Sequence, residues 1–178
     1  MEIADLARIV DGARLSVFRM ETLPQYLVPQ EAEEFAAWRS GRPVVLPTPE
    51  TSSWLAHVAA RVTSGVRWSR VHILDHPLSD YCRYEIWGYA ANQAAGEQIY
   101  LADRSAHRDL ESLREDFWLV DDFTVIRMIY DAQGQFERPE LLEDVRPYLV
   151  MRDTAFRHAE PLDEYVAGRD LELSARSV

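Results

Sequence analysis

Two apolar runs separated by paired aspartates constrain the fold more than any other part of the chain. They lie in FWLVDDFTVIRMIYDAQGQFE, residues 117–137. Asp121-Asp122 has the composition of a tight hairpin turn, and Gly134 supplies the positive φ that a second turn needs. We therefore predict an antiparallel meander of three strands: Phe117–Val120, Thr124–Tyr130 and Gln135–Phe136.

A further strand, followed by a helix, is predicted in VRWSRVHILDHPLSDYCRYEIWG, residues 66–88. On the strand, the apolar side chains Val71 and Ile73 point to one face, because successive side chains alternate. The opposite face carries Trp68, Arg70 and His72. We expect the apolar face to meet a core. The mixed face is then either an ordinary polar outer surface or one wall of a groove.

The helix that follows this strand has a clear start. Pro77 disfavours helix at the residue before it, and Ser79 can cap the first turn through its hydroxyl. Asp80 suits the positive end of the helix, and Asp80–Arg83 and Tyr81–Glu85 are neighbours on its surface. Since few positions are plainly solvent-facing, we expect this helix to pack on at least two sides.

Besides a short helix or helical turn in HRDLESLRED, four other helices are predicted from apolar periodicity and capping residues. They are a short one containing Leu6, Ile9 and Val10, one from Gln30 to Gly41, one capped by Ser52 or Ser53, and one from Tyr148 to Ala159 stopped by Pro161. Together with the strands they indicate an α+β fold with a mainly antiparallel sheet, a C-terminal β-meander and flanking helices. We expect one domain over residues 1–165 and a loosely held tail over residues 166–178.

Charge limits the classes of partner. The 178-residue chain carries a formal net charge of −11, and all 19 of its basic residues are arginine. That balance argues against direct binding to nucleic acid, which normally needs a basic surface. An acidic surface suits a basic protein partner instead, such as a DNA-binding regulator.

Other features of the sequence point to the cytoplasm. One cysteine, Cys82, excludes an internal disulfide framework. The N-terminal residues lack the uninterrupted apolar region of a signal peptide, and no run approaches the roughly 20 apolar residues that span a bilayer. We expect a cytoplasmic protein that does not enter a membrane.

Three segments resemble an actinobacterial family known only as a domain of unknown function, the DUF 6879 family. They are FRMETLPQYLVPQEAEEFAAWRSG, RWSRVHILDHPLSDYCRYE and DFWLVDDFTVIRMIYD. The resemblance spans roughly residues 15–165. It implies a bacterial source with a high-GC genome and a cytoplasmic, single-domain protein. It also suggests a regulatory or toxin–antitoxin-like setting beside helix-turn-helix regulators. It brings no catalytic residues to transfer.

Three kinds of chemistry deserve consideration against simpler explanations. His72, His76 and Cys82 are metal-ligating types, but they supply three ligands where structural zinc takes four. Cys82 near a helix start could be a nucleophile, although a buried thiol is normally inert. The pairs Glu115-Asp116 and Asp121-Asp122 would suit a metal-dependent nuclease only if their carboxylates converged. Phosphate-binding glycine loops are absent from the sequence.

We therefore expect a non-enzymatic accessory or regulatory protein that binds another protein, without cofactor or metal. The alternatives are a small hydrolase or nuclease-like toxin with a groove beside the central strand, and a small-ligand-binding domain. Aromatic and arginine side chains are frequent in binding sites and are also common in cores. The predicted ligand- or partner-binding residues are Trp68, Arg70, His72, Asp80, Tyr81, Arg83 and Glu85.

Overall fold

The computed structural model describes residues 1–169 and 171. Within them lie six α-helices: α1 (Ile3–Asp11), α2 (Ala32–Arg39), α3 (Ser53–Thr63), α4 (Asp80–Ala94), α5 (Arg146–His158) and α6 (Leu162–Gly168). The described strands are β1 (Ser16–Glu21), β2 (Arg67–Leu74), β3 (Gln98–Asp103), β4 (Asp116–Val120), β5 (Thr124–Tyr130), β6 (Phe136–Leu142) and β7 (Glu160–Pro161).

The strands form one mixed sheet in the order β6-β5-β4-β1-β2-β3-β7. Strand β1 pairs parallel with β2, and β2 pairs parallel with β3, whereas the other pairs are antiparallel. The prediction of an α+β fold is confirmed, but the prediction of a mainly antiparallel sheet is wrong, because the sheet is mixed. Helices α2 and α3 connect β1 to β2, and α4 connects β2 to β3. Parallel pairing requires long connections of this kind.

Strands β4, β5 and β6 follow one another in the antiparallel half of the sheet. Asp121 and Asp122 both have positive φ, 53° and 64°, as a tight hairpin turn requires. The third strand is longer than predicted, since it runs to Leu142. The prediction that the meander is C-terminal is not confirmed, because α5, β7 and α6 follow these strands in the chain.

Both faces of the sheet are covered. On one face α5 packs through Tyr148 and Ala155 against a cluster that includes Phe18 and Val71. On the other face α3 contributes Leu55 to a cluster around Trp68, and α4 adds Ile86 to a third cluster. The mixed face of β2, for which a polar outer surface was one of two alternatives, is therefore an interior face.

Helix starts follow the predicted caps. The Ser52 hydroxyl accepts from the Leu55 N–H at the start of α3, and the Ser79 hydroxyl accepts from the Cys82 N–H at the start of α4. Pro161 does not end the helical part of the chain, because α6 begins directly after it.

The predicted tail, residues 166–178, begins inside this last helix, which extends to Gly168. Apart from Arg169 and Leu171, the rest of that tail lies outside the described residues.

Candidate functional site

A row of polar side chains crosses β1 and β2 on the face that α4 covers. The parallel register sets Arg19 opposite Arg70 and Glu21 opposite His72. Arg19, Glu21 and His72 are buried, and the Arg70 side chain keeps only 11% of its surface exposed. The strand alternation that the sequence shows thus aims four polar groups into the protein.

Arg70 lies between two buried carboxylates. Its Nη1 donates to Glu21 Oε2 over 2.8 Å, and its Nε donates to Glu97 Oε1 over 3.0 Å. Burial by itself would raise the pKa of Glu21, but the guanidinium groups of Arg70 and Arg19 outweigh burial and lower it. Glu97, whose side chain is fully buried, also accepts from the Asn92 amide over 2.7 Å. The charge of Arg70 is therefore compensated inside the protein.

His72 is fully buried and is held at both ring nitrogens. Nε2 lies 3.2 Å from the Leu23 carbonyl oxygen, which can only accept, so Nε2 is the ring nitrogen that carries the proton. Burial lowers the pKa of His72, which leaves the ring neutral with a lone pair on Nδ1. The Tyr89 hydroxyl lies 2.8 Å from that Nδ1 and 3.0 Å from Glu21 Oε2, so its one proton is shared by two acceptors.

Glu85 and Cys82 complete this buried cluster from α4. Glu85 Oε2 lies 3.7 Å from His72 Nδ1, and it has no hydrogen-bond partner among the described residues. Burial, reinforced by the charge of Glu21, raises the pKa of Glu85 well above its usual range. Burial also raises the pKa of the Cys82 thiol to about 12. Such a thiol is a poor nucleophile at neutral pH, because the thiolate is the reactive form.

Beside the network lies a cleft of about 400 Å³. Its lining is acidic and aromatic, and the residues that give it this character are Glu31, Glu34, Glu85, Trp54, Tyr84 and Trp87. Arg70 is the basic residue among the described residues that line it, and its charge is already paired. The cleft therefore has a net negative lining.

Two of these carboxylates belong to the segment around the start of α2 and bond to tyrosines of α4. Glu31 accepts from the Tyr81 hydroxyl over 3.0 Å, and Glu34 accepts from the Tyr84 hydroxyl over 2.6 Å. Each bond uses one carboxylate oxygen and leaves the other for a further donor. Burial raises the pKa of Glu31, so a cationic group would find a partly desolvated partner there.

The structure brings together some of the seven predicted site residues. Arg70, His72 and Glu85 share the buried network, and Tyr81 joins the acidic segment next to it. Trp68 lies elsewhere, in a cluster with other tryptophan rings.

The two remaining residues lie on the first turn of α4. Asp80 is exposed, and Arg83 is half-buried, with no side-chain hydrogen bond or ion pair to another described residue.

The metal-ligating residues and acidic pairs considered from the sequence are arranged differently in the structure. His76 faces Asp103, with Nε2 2.7 Å from Oδ1, and among the described residues the candidate metal-ligand group is His72, Cys82 and Glu85. The acids of the two predicted pairs have separate partners. These are Arg127 and Tyr148 for Glu115, Thr22 and Tyr26 for Asp116, backbone N–H groups for Asp121, and Arg152 for Asp122.

Three residues that bond to Arg70 or His72 were not predicted from the sequence: Glu21, Tyr89 and Glu97. Glu21 continues the alternation of Val17 and Arg19 along β1, so its direction was available from the pattern. Glu97 gives no comparable signal, because it lies in the turn between α4 and β3. Its burial depends on the position of Arg70 in the folded chain.

Fold and site together define an α+β domain with a buried charged network beside an acidic, aromatic cleft. The chain belongs to the family described as Domain of unknown function (DUF6879), whose model matches residues 4–167. Comparison with curated proteins gave no match. No helix in the described part of the chain combines the length and apolar character needed to cross a membrane.

Proposed function

We propose that this protein works by binding another protein, and that the cleft between α2, α3 and α4 receives an arginine side chain of that partner. The observation that carries the proposal is the lining of the cleft: the carboxylates of Glu31 and Glu34 face it, and Arg70, the arginine among its described lining residues, is already paired.

Carboxylates match the chemistry of a guanidinium group. A guanidinium presents five N–H donors in a fork that fits carboxylate oxygens. Glu31 and Glu34 each use one oxygen on a tyrosine hydroxyl, so each keeps acceptor capacity for such a fork. Charge-assisted bonds of this kind are stronger than bonds between neutral groups.

The aromatic part of the lining supports the same ligand. Tyr84 and Trp87 are stacked, with ring centroids 5.9 Å apart, and Trp54 completes the aromatic surface. Guanidinium groups pack on such ring faces, and tryptophan gives the most favourable contact. The guanidinium of a bound arginine would therefore donate its N–H groups to carboxylates and pack its flat face on aromatic rings.

The wider setting of the proposal comes from charge and family. A net charge of −11 favours a basic partner, and a DNA-binding helix-turn-helix regulator has such a surface. We propose a regulatory role beside such a regulator, in the cytoplasm of an actinobacterium, with the acidic cleft turned towards the regulator.

Peptides that differ in one group test the proposal. We expect an arginine-containing peptide to bind by calorimetry, and the same peptide with citrulline, which is neutral and of similar shape, to bind at least about tenfold more weakly, because charged hydrogen bonds contribute about 1.5–3 kcal/mol. Glu34→Gln should weaken arginine binding. Its matched control is Glu33→Gln, which changes an exposed neighbour on α2 outside the cleft. Equal binding of both peptides, or equal effects of both variants, would contradict the proposal.

A small cationic ligand is the second candidate, and the size of the cleft favours it. Small-molecule sites have volumes of about 300–1,000 Å³, a range that includes this cleft. Agmatine, which carries the same guanidinium without a peptide, separates the two candidates. Binding of agmatine as tight as that of the peptide would favour a metabolite over a protein partner.

An enzyme is the third candidate, a small hydrolase or nuclease-like toxin acting beside β2. What favours it is the buried cluster of His72 and Glu85, since strongly perturbed pKa values concentrate at active sites. Expression of the wild-type chain in a bacterial host tests it. Harmless expression, together with no hydrolysis of RNA, DNA or esters by the purified protein, would remove this candidate.

A further inference from the structure

We propose that His72, Cys82 and Glu85 form a binding site for a transition-metal ion of the zinc class. One donor atom from each residue lies within 4.8 Å of the others. The inference is independent of the proposed function, although Glu85 also belongs to the wall of the cleft.

The backbone places these three donors against one another. Cys82 and Glu85 are three residues apart on α4, so their side chains leave the same side of the helix. That side faces β2, where the strand alternation aims His72 towards α4. The site therefore joins a helix to the strand before it, through residues that are ten and three positions apart in sequence.

His72 has the tautomer that a metal ligand requires. Its Nε2–H is held by the Leu23 carbonyl, which leaves the lone pair of Nδ1 on the side of Glu85. Histidines that bind metals almost always donate their other ring N–H to a carbonyl, carboxylate or water. The Tyr89 hydroxyl next to Nδ1 would then keep its bond to Glu21.

Glu85 supplies the second independent observation. Its Oε2 is shielded from solvent and has no hydrogen-bond partner among the described residues. A buried polar atom without a partner calls for a specific explanation, and an ion is one. The nearby Arg70 does not meet that need, since its guanidinium bonds to Glu21 and Glu97.

The donor set selects the class of metal. Imidazole, thiolate and carboxylate are the ligands of zinc, and three protein ligands with one open position are typical of its non-structural sites. Binding replaces the protons on the Cys82 thiol and the Glu85 carboxyl, which are released to solvent. Ligand bonds of about 2.0–2.3 Å require the donor atoms to approach one another by roughly 1 Å from their present spacing.

Cobalt substitution tests the site in the full chain. The protein is stripped with a chelator, kept reduced and titrated with Co²⁺. Because Cys82 is the one cysteine in the sequence, any thiolate-to-cobalt charge-transfer band reports this residue. We expect the band to saturate at one equivalent and to be absent in Cys82→Ser. Absence of the band from the wild-type chain would overturn the proposal.

Zinc affinity provides the second readout. In competition with a chelating indicator, Cys82→Ser and Glu85→Gln should each lower affinity by at least about tenfold, as changes around metal sites commonly do. His107→Ala is the control, since His107 is an exposed histidine outside the cluster. Loss of affinity in the control as large as in the cluster variants would indicate adventitious binding and overturn the site.

The same experiments separate this site from the arginine cleft. Glu31→Gln and Glu34→Gln should leave the cobalt band unchanged, because neither belongs to the cluster. Arginine-peptide binding is measured on the metal-stripped protein, so failure of one proposal leaves the other open to its own test.

Discussion

At the scale of single residues, the stability of this protein depends on compensated buried charge. Arg70 is the clearest example, because two carboxylates converge on its guanidinium in the interior. A buried ion pair contributes little over a well-packed apolar pair, but removal of one member leaves the other without compensation. We therefore expect a buried, paired arginine to affect stability far more than one whose side chain has no partner.

Arg70→Ala should destabilise the protein by about 3–5 kcal/mol, the usual cost of breaking a buried ion pair. It leaves the carboxylates of Glu21 and Glu97 buried without their cation. Arg83→Ala is the matched control and should change stability by about 0.5 kcal/mol or less. Denaturant unfolding of both variants provides the measurement. Similar losses in the two would show that the Arg70 network does not stabilise the fold.

At the scale of elements, α4 organises the site by packing on two sides. One side meets the sheet through Cys82 and Ile86, and the other meets α2 through Tyr81 and Tyr84. Tyr84 contacts the rings of Phe35 and Trp38 at centroid distances of 5.2 and 5.8 Å. The prediction that α4 packs on at least two sides is confirmed, and α2 is held by an aromatic interface.

Two substitutions of Tyr84 separate packing from hydrogen bonding in this interface. Tyr84→Ala should cost about 3–5 kcal/mol, because it removes a buried ring. Tyr84→Phe keeps the ring and removes the bond to Glu34, so it should cost about 0.5–1.5 kcal/mol. Thermal or denaturant unfolding of the pair gives the comparison. If Phe is as destabilising as Ala, the hydroxyl rather than the ring holds α2.

In the β4–β5 turn, the side chain of Asp121 makes the bonds that hold the turn to a neighbouring strand. Asp121 accepts backbone N–H bonds from Arg14, Leu15 and Ser16, which ties the turn to the start of β1. Burial would raise the pKa of Asp121, but these backbone donors outweigh it and lower the pKa below its ordinary value of 3.8. The neighbouring Asp122 makes one ion pair, with Arg152.

Asp121→Asn should destabilise the protein at neutral pH by about 1–2 kcal/mol through weaker bonds to those N–H groups. Asp122→Asn, at the matched position in the same turn, should cost less than about 1 kcal/mol. Asparagine tolerates positive φ as aspartate does, so the turn conformation is not at issue. Loss of stability that is larger at Asp122 would contradict the assignment.

The same variant gives a pH dependence with a defined sign. A carboxyl whose pKa is lowered by folding stabilises the native state above its unfolded pKa, and that contribution is lost as pH falls through its folded pKa. The stability difference between wild type and Asp121→Asn should therefore be constant above about pH 5 and shrink below pH 3.8, the ordinary pKa of the group. Unfolding curves across that range measure it. A difference that grows on acidification would refute the assigned direction.

At the scale of the whole molecule, charge is balanced in the interior but not over the chain as a whole. The interior pairs its arginines with carboxylates, while the chain as a whole keeps a net charge of −11. If the cleft receives a basic partner, the electric field of this negative charge should speed the approach of that partner. Salt should screen the field and slow the association.

The association rate constant of the arginine peptide should therefore fall by about tenfold or more between about 0.05 M and about 0.5 M salt, with a smaller change in the dissociation rate constant. Stopped-flow mixing measures both rates. Sucrose at matched viscosity is the control. An association rate constant that does not respond to salt would indicate recognition by the apolar part of the lining.

The local structure of this protein follows from patterns within short stretches of its sequence. Alternation along β2 gave the direction of each side chain, Ser52 and Ser79 gave two helix starts, and the paired aspartates gave a turn. Each of these depends on backbone geometry and hydrogen bonds within a few residues, which composition and spacing express directly.

Which strands pair, and what covers each face of the sheet, depends instead on contacts between distant parts of the chain. Parallel pairing of β1, β2 and β3 depends on contacts between residues about 30–50 positions apart, which no local pattern specifies. Arg70 and His72 pointed away from the apolar face in either case. Whether they met water or a helix depended on where α4 packs, because burial is a property of the neighbours that the fold supplies.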